Sequence, residues 1–265
     1  MSAAPAIALH DVGKVFVRDD GSAVAVLEHV SFEIAAGSFV CLVGRSGSGK
    51  STILNMIAGL IEPSSGTIAF ADGVAKRPRL DVGYMTQKET LLPWRDVLQN
   101  VAMPLEVRGT AKDVRETRAR ELLRVVGLSD AEKRYPRELS GGMARRASLA
   151  RMLASDPAIL LLDEPFGALD AQLRGELQTE LLRLWAGSGK TIVFVTHDID
   201  EALILADRTI VLQSGGRIAV DATIDFVRPR IGREVRLSPA FLDMHDRFID
   251  ALSNDPRAGA AVAAP

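Results

Sequence analysis

The chain has 265 residues, of which 47% are hydrophobic and 25% are charged, with a formal net charge of −2 and a pI near 6.1. These values are ordinary for a globular protein with a sizeable core. The balanced charge gives no reason to expect a broad surface for nucleic acid or anionic membrane. The single cysteine, Cys41, excludes an intrachain disulfide framework and a multi-cysteine metal cluster.

No apolar run approaches the roughly 20 residues needed to span a bilayer. The first residues, Met-Ser-Ala-Ala-Pro, lack a basic stretch followed by an apolar one, so they do not resemble a signal peptide. We therefore expect a cytosolic chain whose membrane role, if it has one, is exerted through a partner.

The N-terminal region contains four β-like runs, Ile7–Leu9, Val15–Val17, Val24–Leu27 and Val30–Ile34, with a turn cluster at Asp19–Ser22. The apolar run Phe39–Val43 then leads into Gly44-Arg-Ser-Gly-Ser-Gly-Lys-Ser51. This segment fits the phosphate-loop pattern G-x-x-x-x-G-K-[ST], entered from a strand and left through a helix. The pattern predicts a helix that starts near Lys50 and continues through residues 53–60.

The residue types of this loop suit the binding of a polyphosphate. Gly44, Gly47 and Gly49 allow the main chain to turn and to approach phosphate oxygens closely. The start of the following helix adds partial positive charge. Lys50 can supply a point charge to the β- and γ-phosphates, and the Ser51 hydroxyl can bind Mg²⁺. We interpret the segment as an ATP or GTP site.

Two further strands are predicted at Gly66–Phe70 and Val82–Met85. Residues 90–139 are mostly helical in pattern and charged, with an amphipathic helix over Asp113–Val126 that Gly127 is placed to stop. We interpret this region as an inserted helical subdomain.

A second glycine-rich helix start follows at Ser140-Gly141-Gly142, and its helix is predicted to run to about Ala154. It can be a second anion-binding terminus, or Ser140 can simply be an N-cap. The phosphate loop already has enough donors for one triphosphate. A second site of the same chemistry therefore suggests a nucleotide held by another copy of the chain.

The apolar run Ile159–Leu162 is typical of a buried parallel strand and ends in Asp163-Glu164. Asp163 is a candidate for the metal-linked carboxylate, and Glu164 for the base that polarises the attacking water. The competing interpretation of this carboxylate pair is a solvated turn.

Asp170 is predicted to cap a helix with a leucine face, and Thr191–Val195 to form another buried strand before His197. Strands alternating with helices predict a mostly parallel sheet, whose ligands gather beyond the carboxyl ends of the strands. We therefore expect Gly44, Asp163 and His197 to be brought together. His197 is a candidate γ-phosphate ligand, although a lone histidine is more often structural.

Together these motifs resemble the ATP-binding cassette (ABC) ATPases over about residues 6–222. In chain order, the resemblance comprises Walker A (Gly44–Ser51), the Q-loop (Gln87), the signature (Leu139–Met143), Walker B (Ile159–Glu164), the D-loop (Ala168-Leu-Asp170) and the switch histidine (His197). Phe16 stands where the family places an adenine-stacking aromatic. The chain departs from the commonest pattern at Met143 and Arg145, both of which stand where glutamine is frequent, and at Phe16, where tyrosine is frequent.

The resemblance implies an α/β P-loop NTPase fold of ABC type. This fold has a RecA-like core, an N-terminal antiparallel β subdomain and an α-helical subdomain inserted at about residues 90–154. Residues 223–265 would be a C-terminal extension with one helix, over Pro239–Leu252, and a disordered tail. ATP and Mg²⁺ are the implied ligands.

The resemblance also implies roles for individual residues. Glu164, His197 and Lys50 would be catalytic. Nucleotide would be bound by Phe16, Gly44, Ser46, Gly47, Ser48, Gly49, Lys50, Ser51, Thr52 and Gln87. Mg²⁺ would be held by Ser51, Gln87 and Asp163. Ser140, Gly141, Gly142 and Asp170 would contact the ATP bound by the other subunit of a head-to-tail homodimer.

The segment Leu91-Leu-Pro-Trp94, together with Arg228-Pro-Arg230 ahead of a C-terminal helix, resembles the nitrate, sulfonate and taurine importer ATPases. This resemblance implies permease subunits that dock near Trp94, a periplasmic binding protein as an indirect partner, and a position on the cytoplasmic face of the membrane. Other cargoes, such as a pyrimidine precursor or a lipid, stay open. So do a non-transport ATPase switch acting on nucleic acid and an inactive regulatory module.

Overall fold

The computed structural model describes residues 5–256 except 72, 75–80, 89, 168, 229, 231 and 232. They form two compact units, one from the described parts of 1–79 and 189–265 and the other from those of 80–188. The predicted tail at residues 257–265 lies outside the described residues. The predicted boundaries near residues 90, 154 and 222 stay predictions.

The first unit contains an antiparallel sheet in the order β2-β1-β4-β5. Its strands are β1 (Ile7–Val17), β2 (Ala23–Ile34), β4 (Ser65–Phe70) and β5 (Gly73–Val74). The sequence predicts four short runs in this region. In the structure the first two form one strand, β1, of 11 residues, and the other two form one strand, β2, of 12 residues. The strands are continuous because bulges absorb the polar interruptions, with Asp11 at φ 51° and His29 at φ 53°.

A second set of strands in this unit runs in the order β10-β9-β3-β8. They are β3 (Phe39–Gly44), β8 (Thr191–Thr196), β9 (Arg208–Leu212) and β10 (Ile218–Thr223). The central strand β3 is parallel to both β8 and β9, whereas β10 is antiparallel to β9. Every residue of β3 and β8 is buried, as their continuous apolar sequences predict.

The helices of the first unit are α1 (Lys50–Ile57), α6 (Ile199–Leu205), α7 (Arg233–Arg236) and α8 (Pro239–Ser253). Helix α1 begins at Lys50 as predicted but ends before Leu60, which corrects the predicted end. The helix stops early because Gly59 adopts φ 71°, a left-handed conformation that favours glycine and ends a helix.

The second unit pairs β6 (Val82–Met85) with β7 (Ile159–Asp163) in parallel, and every residue of β7 is buried. Its helices are α2 (Val97–Val107), α3 (Lys112–Val125), α4 (Gly141–Ala154) and α5 (Ala171–Trp185). Helices α2, α3 and α4 pack against one another. This arrangement agrees with the helical pattern read from the sequence between residues 90 and 154.

Candidate functional site

The phosphate loop lies between the carboxyl end of β3 and the start of α1, as its motif predicts. Gly47 adopts φ 83° and Gly49, the residue before α1, adopts φ 92°. Side chains rarely tolerate this region of φ, so glycine at these two positions sets the path of the loop. Gly49 also lies against β2, because a Cβ built there would be 2.3 Å from Leu27 Cδ2.

The Lys50 side chain is buried against the loop that precedes it. Its ammonium donates to the carbonyl oxygens of Gly44 at 2.7 Å and Arg45 at 2.9 Å, and to Ser48 Oγ at 3.4 Å. These contacts hold the charge of Lys50 in the curve of the loop. A phosphate bound by the loop would therefore meet a positive charge that is already positioned.

The hydroxyl residues predicted to bind nucleotide differ in exposure. Ser46 is exposed, Ser48 is buried, and Ser51 and Thr52 are half-buried in the first turn of α1. The Ser51 hydroxyl thus lies at a helix start, where main-chain N–H groups and the helix dipole favour anions.

The predicted switch histidine follows β8 directly, and its neighbours are fixed by hydrogen bonds. Thr196 Oγ1 donates to Glu201 Oε2 at 2.6 Å and accepts from the main-chain N–H of Asp198 at 3.0 Å. Asp198 in turn caps α6 by accepting from the N–H of Glu201. His197 lies between these fixed residues, and its own side chain is exposed.

The strand register places His197 beside the phosphate loop. Val43 pairs with Thr196 in the parallel strands β3 and β8, so Gly44 and His197 are the next residues on adjacent strands. The expectation that these two motifs meet at one sheet edge is met within this unit. Glu201 and Thr196, which hold this turn, were not among the residues that sequence reasoning singled out.

In the second unit, Asp163 ends β7 with its side chain buried. The partly buried Tyr84 lies near enough to be affected electrostatically, because burial and then the Asp163 charge raise the pKa of Tyr84. The structure thus places the predicted metal-linked carboxylate at a strand end within the buried part of this unit.

Glu164 and Gln87, the predicted base and the predicted Q-loop residue, are brought into contact. Gln87 Nε2 donates to Glu164 Oε2 at 3.3 Å although the residues are far apart in sequence. Glu164 has φ 46°, a region that non-glycine residues rarely occupy. Such backbone conformations cluster at functional sites, where the surrounding contacts must hold them.

The residue that holds this turn is Arg145, which the sequence marks only as a departure from the family pattern. Its buried guanidinium donates to main-chain carbonyl oxygens on both sides of the site, including those of Gln87 at 2.7 Å and Glu164 at 2.6 Å. A polar residue within a helical pattern is usually assigned to an exposed face, so the sequence carries no signal for this contact.

The signature residues lie at the start of α4. Ser140 is the N-cap, and its Oγ accepts from the N–H of Met143 at 3.3 Å. Ser140 and Gly141 are exposed and Gly142 is half-buried. The N-cap interpretation of Ser140 is therefore correct, and its exposure leaves the helix start accessible to a ligand.

Asp170 caps α5, and its carboxylate accepts from the N–H of Leu173 at 2.9 Å. The side chain is exposed. Ala168 of the predicted D-loop lies outside the described residues. Phe16, on β1, is 40% exposed, and Lys14 Nζ lies 5.1 Å from its ring centroid.

The C-terminal segment at Arg228 and Arg230 contacts the end of α6, the helix that follows His197. The buried guanidinium of Arg230 donates to the carbonyl oxygens of Leu203 and Ala206, and that of Arg228 to the carbonyl of Leu205. Burial, followed by the nearby Arg228 charge, lowers the pKa of Arg230 to about 10, so it stays protonated at neutral pH. These contacts cap the helix with cations at its negative end.

Across the described ranges, no helix has both the length and the apolar character of a membrane span. The same residues contain no group of three or more histidine, cysteine, aspartate or glutamate side chains placed to hold a metal. The donors predicted for Mg²⁺ are of a different kind, namely one hydroxyl, one amide and one carboxylate.

A glycine-rich phosphate loop after a central parallel strand, with carboxylates at the end of another buried strand, defines a phosphate-loop nucleotide-binding protein. The ABC transporter family model matches residues 27–167. The chain belongs to the ABC transporter family, which confirms the predicted fold and the predicted class of ATPase.

Individual relatives agree with this assignment. A taurine import ATP-binding protein, TauB of Sinorhizobium fredii, is 46% identical over 232 residues, covering 86% of this chain and 87% of the relative. The nitrate import ATP-binding protein NrtC of Synechococcus elongatus is 43% identical over 256 residues, 95% of this chain but 39% of the relative. A dimeric post-hydrolysis structure of the ATP-binding cassette MJ0796 with ADP and Pi aligns with a TM-score of 0.77 at 31% identity, covering 83% of this chain and all of that one.

Proposed function

We propose that the chain is the ATP-hydrolysing subunit of an importer for a small oxyanion such as taurine, another sulfonate or nitrate. The observation that carries the ATP-hydrolysing part of the proposal is the contact between Gln87 and Glu164, because it joins the predicted Q-loop residue to the predicted base. The names of the taurine and nitrate relatives support import, and they favour this cargo class over a pyrimidine precursor or a lipid.

Two copies would bind two ATP molecules head to tail. One copy supplies the phosphate loop, with Lys50 and the start of α1 on the phosphates and Phe16 on the base. The other copy supplies the exposed start of α4, with Ser140, Gly141 and Gly142, together with Asp170. The dimeric form of the MJ0796 cassette supports this assembly.

Hydrolysis follows from the groups around the phosphates. Glu164 takes a proton from the attacking water, and this assistance is typically worth about 10²–10⁴-fold in rate. His197 donates a hydrogen bond to the γ-phosphate, and Lys50 stabilises negative charge on the departing phosphates. Fixed donors of this kind act without reorganisation during the reaction.

Ser51, Gln87 and Asp163 would hold Mg²⁺, since hydroxyl, amide and carboxylate oxygens are the ligands this ion prefers. When bound, Mg²⁺ neutralises phosphate charge. The buried position of Asp163 suits a carboxylate that faces a cation rather than solvent.

Closing and opening of the dimer would drive permease subunits that dock near the exposed Trp94, which is 71% accessible. The chain would then lie on the cytoplasmic face of the membrane, and a periplasmic binding protein would deliver the cargo to the permease. The net charge of −2 disfavours the alternative of a switch acting on nucleic acid.

The experiment measures ATP hydrolysis and dimerisation in the presence of Mg²⁺. Glu164→Gln should bind ATP, lose at least about 100-fold in turnover, and accumulate as a dimer with ATP. Ser140→Arg should leave nucleotide binding by the monomer within about 3-fold and abolish turnover. Parental turnover in Glu164→Gln would refute the base assignment, and parental turnover in Ser140→Arg would refute the shared site.

Cargo needs a separate measurement in the assembled transporter. The chain is reconstituted in vesicles together with candidate permease subunits and a binding protein. Taurine, another alkanesulfonate and nitrate are then compared as stimulants of ATP hydrolysis and as transported solutes. Failure of all three, with stimulation by a pyrimidine precursor or a lipid, would refute the oxyanion proposal while leaving the ATPase role intact.

A further inference from the structure

Arg145 is a charged residue in the interior of α4, and only 4% of it is exposed. Burying a guanidinium carries a penalty of several kcal/mol unless good hydrogen bonds compensate for lost hydration. An apolar residue could fill a similar volume without this penalty. A buried arginine at this position therefore calls for a reason other than packing.

The guanidinium contacts five main-chain carbonyl oxygens. Nε donates to Pro165 at 3.0 Å; Nη1 donates to Thr86 at 2.9 Å and Gln87 at 2.7 Å; and Nη2 donates to Asp163 at 2.8 Å and Glu164 at 2.6 Å. Arginine carries five N–H donors in a rigid planar fork, so its geometry suits this number of acceptors.

These carbonyls belong to the two segments that carry the predicted base and the predicted Q-loop residue. Residues 86–87 form the predicted Q-loop, and residues 163–165 form the turn after β7. Glu164 occupies its unusual φ of 46° within that turn, and its carboxylate accepts from Gln87. Arg145 therefore fixes the main chain beneath both partners of the contact between Gln87 and Glu164.

The same side chain is attached to the signature helix. Arg145 lies five residues after Ser140, a distance of about 7.5 Å along a rigid α-helix. A small rotation or shift of the start of α4 is thus transmitted to Arg145 and to the carbonyls it contacts. In the proposed dimer, Ser140 serves the ATP on the partner's phosphate loop, whereas Glu164 serves the ATP on its own.

We infer that Arg145 is a positioning residue that couples the two ATP sites of the dimer, because it links the signature helix to the Gln87 and Glu164 segments of one chain. Engagement of Ser140 by one nucleotide then sets the geometry of the base at the other. This inference rests on the proposed head-to-tail dimer and adds to it a defined mechanical connection.

The test compares Arg145→Met with Arg145→Gln, and uses Arg146→Met as the matched control. Methionine fills similar volume without donors, whereas the glutamine amide offers two donors and is the residue frequent at this position in the family. Arg146 is the next residue of α4, and its Nη1 donates to the carbonyls of Val126 at 2.9 Å and Gly127 at 3.0 Å. The control Arg146→Met thus removes comparable contacts to main-chain carbonyls, but these carbonyls do not belong to the Gln87 and Glu164 segments.

Turnover is measured as a function of ATP concentration. Nucleotide affinity is measured from the fluorescence of a labelled ATP analogue without Mg²⁺, and folding is checked by thermal unfolding. Arg145→Met should lower kcat by about 10- to 100-fold, the size expected for a small misplacement of a catalytic group. Its Hill coefficient should fall from above about 1 to about 1, with nucleotide affinity within about 3-fold. Arg145→Gln should recover part of both kcat and cooperativity.

Arg146→Met should keep the parental kcat and Hill coefficient even if its unfolding temperature falls. The inference is overturned if Arg145→Met retains parental turnover and cooperativity, if the parental protein shows no cooperativity, or if Arg146→Met has the same effect. Should Arg145→Met fail to fold, Arg145→Gln decides by the same measurements. If Ser140→Arg loses turnover while both Arg145 variants keep it, the shared ATP site is retained and only the coupling role of Arg145 is rejected.

Discussion

Gly49→Ala should destabilise the first unit more than Gly47→Ala, although both glycines adopt left-handed φ in the same loop. A left-handed conformation costs an alanine about 1–2 kcal/mol. At Gly47 nothing lies within 4 Å of the position a Cβ would take, so this backbone penalty is the whole effect. At Gly49 the Cβ would lie 2.3 Å from Leu27 Cδ2 and 3.1 Å from its Cγ.

Relief of that overlap requires Leu27 to move within a packed core, at a further cost of about 1–3 kcal/mol. The expected losses in unfolding free energy are therefore about 1–2 kcal/mol for Gly47→Ala and about 2–5 kcal/mol for Gly49→Ala. Both changes fall within the usual stability of about 5–15 kcal/mol, so each variant should stay folded enough to measure.

Urea unfolding of the nucleotide-free protein gives these free energies, with Leu27→Ala completing a double-mutant cycle. Truncation of Leu27 removes both clashing atoms, so Gly49→Ala should cost about 1–3 kcal/mol less in the Leu27→Ala background. Gly47→Ala should show no such coupling. Equal costs at the two glycines, or a cycle at Gly49 with no coupling energy, would refute the claim that β2 restricts this turn.

Three further outcomes are expected. Lys50→Ala should weaken ATP binding by about 10- to 100-fold, measured by titration, because charged hydrogen bonds contribute about 1.5–3 kcal/mol; an unchanged affinity would contradict the role of Lys50. The hydrogen bond that His29 donates to the Asp11 carboxylate raises the pKa of His29. Asp11→Asn should therefore lower the unfolding temperature at about pH 5.5 and not at about pH 9, since a raised folded pKa stabilises only while the group is protonated. Arg230→Met should lower the free energy of unfolding, measured with urea, by about 2–4 kcal/mol, whereas substitution of the exposed Arg236 by Met should lower it by less than about 1 kcal/mol. Equal losses would contradict the structural role of the buried Arg230.

The parts of the site that the sequence predicts are those whose chemistry is local. The start of α1 at Lys50 follows from the loop pattern, and the caps at Ser140 and Asp170 follow from the residue types before each helix. The buried strands β3, β7 and β8 follow from continuous apolar runs. In each case the determinant lies within a few residues of the feature, so one stretch of sequence is enough.

The parts that the sequence does not predict depend on contacts between distant segments. The strands β1 and β2 read as four short runs because Asp11 and His29 interrupt them, and only the bulged pairing shows that each strand continues. The antiparallel edge strand β10 carries no strong pattern of its own and is defined by its pairing with β9. Neither feature can be assigned before the partner strand is known.

The two buried arginines show most clearly why this information is missing. Arg145 reaches carbonyls 58 and 59 residues away in sequence, and Arg230 reaches carbonyls up to 27 residues away. Main-chain carbonyls are present at every residue, so no residue type in the sequence marks an acceptor. A carboxylate partner, in contrast, is visible in the sequence as an aspartate or glutamate. The exposed arginines of α3 that pair with glutamates three or four residues away can be recognised for that reason.

The choice of carbonyl acceptors also has a consequence for how the site responds to pH. A carbonyl does not titrate, and the Arg230 pKa of about 10 keeps that guanidinium charged well above neutrality. The carbonyl contacts that Arg145 and Arg230 make beside Glu164 and His197 thus persist over the whole physiological range. The exposed pair of Asp11 and His29 behaves in the opposite way, because deprotonation of His29 removes the attraction. Changes in activity near neutral pH should therefore not originate in these carbonyl contacts.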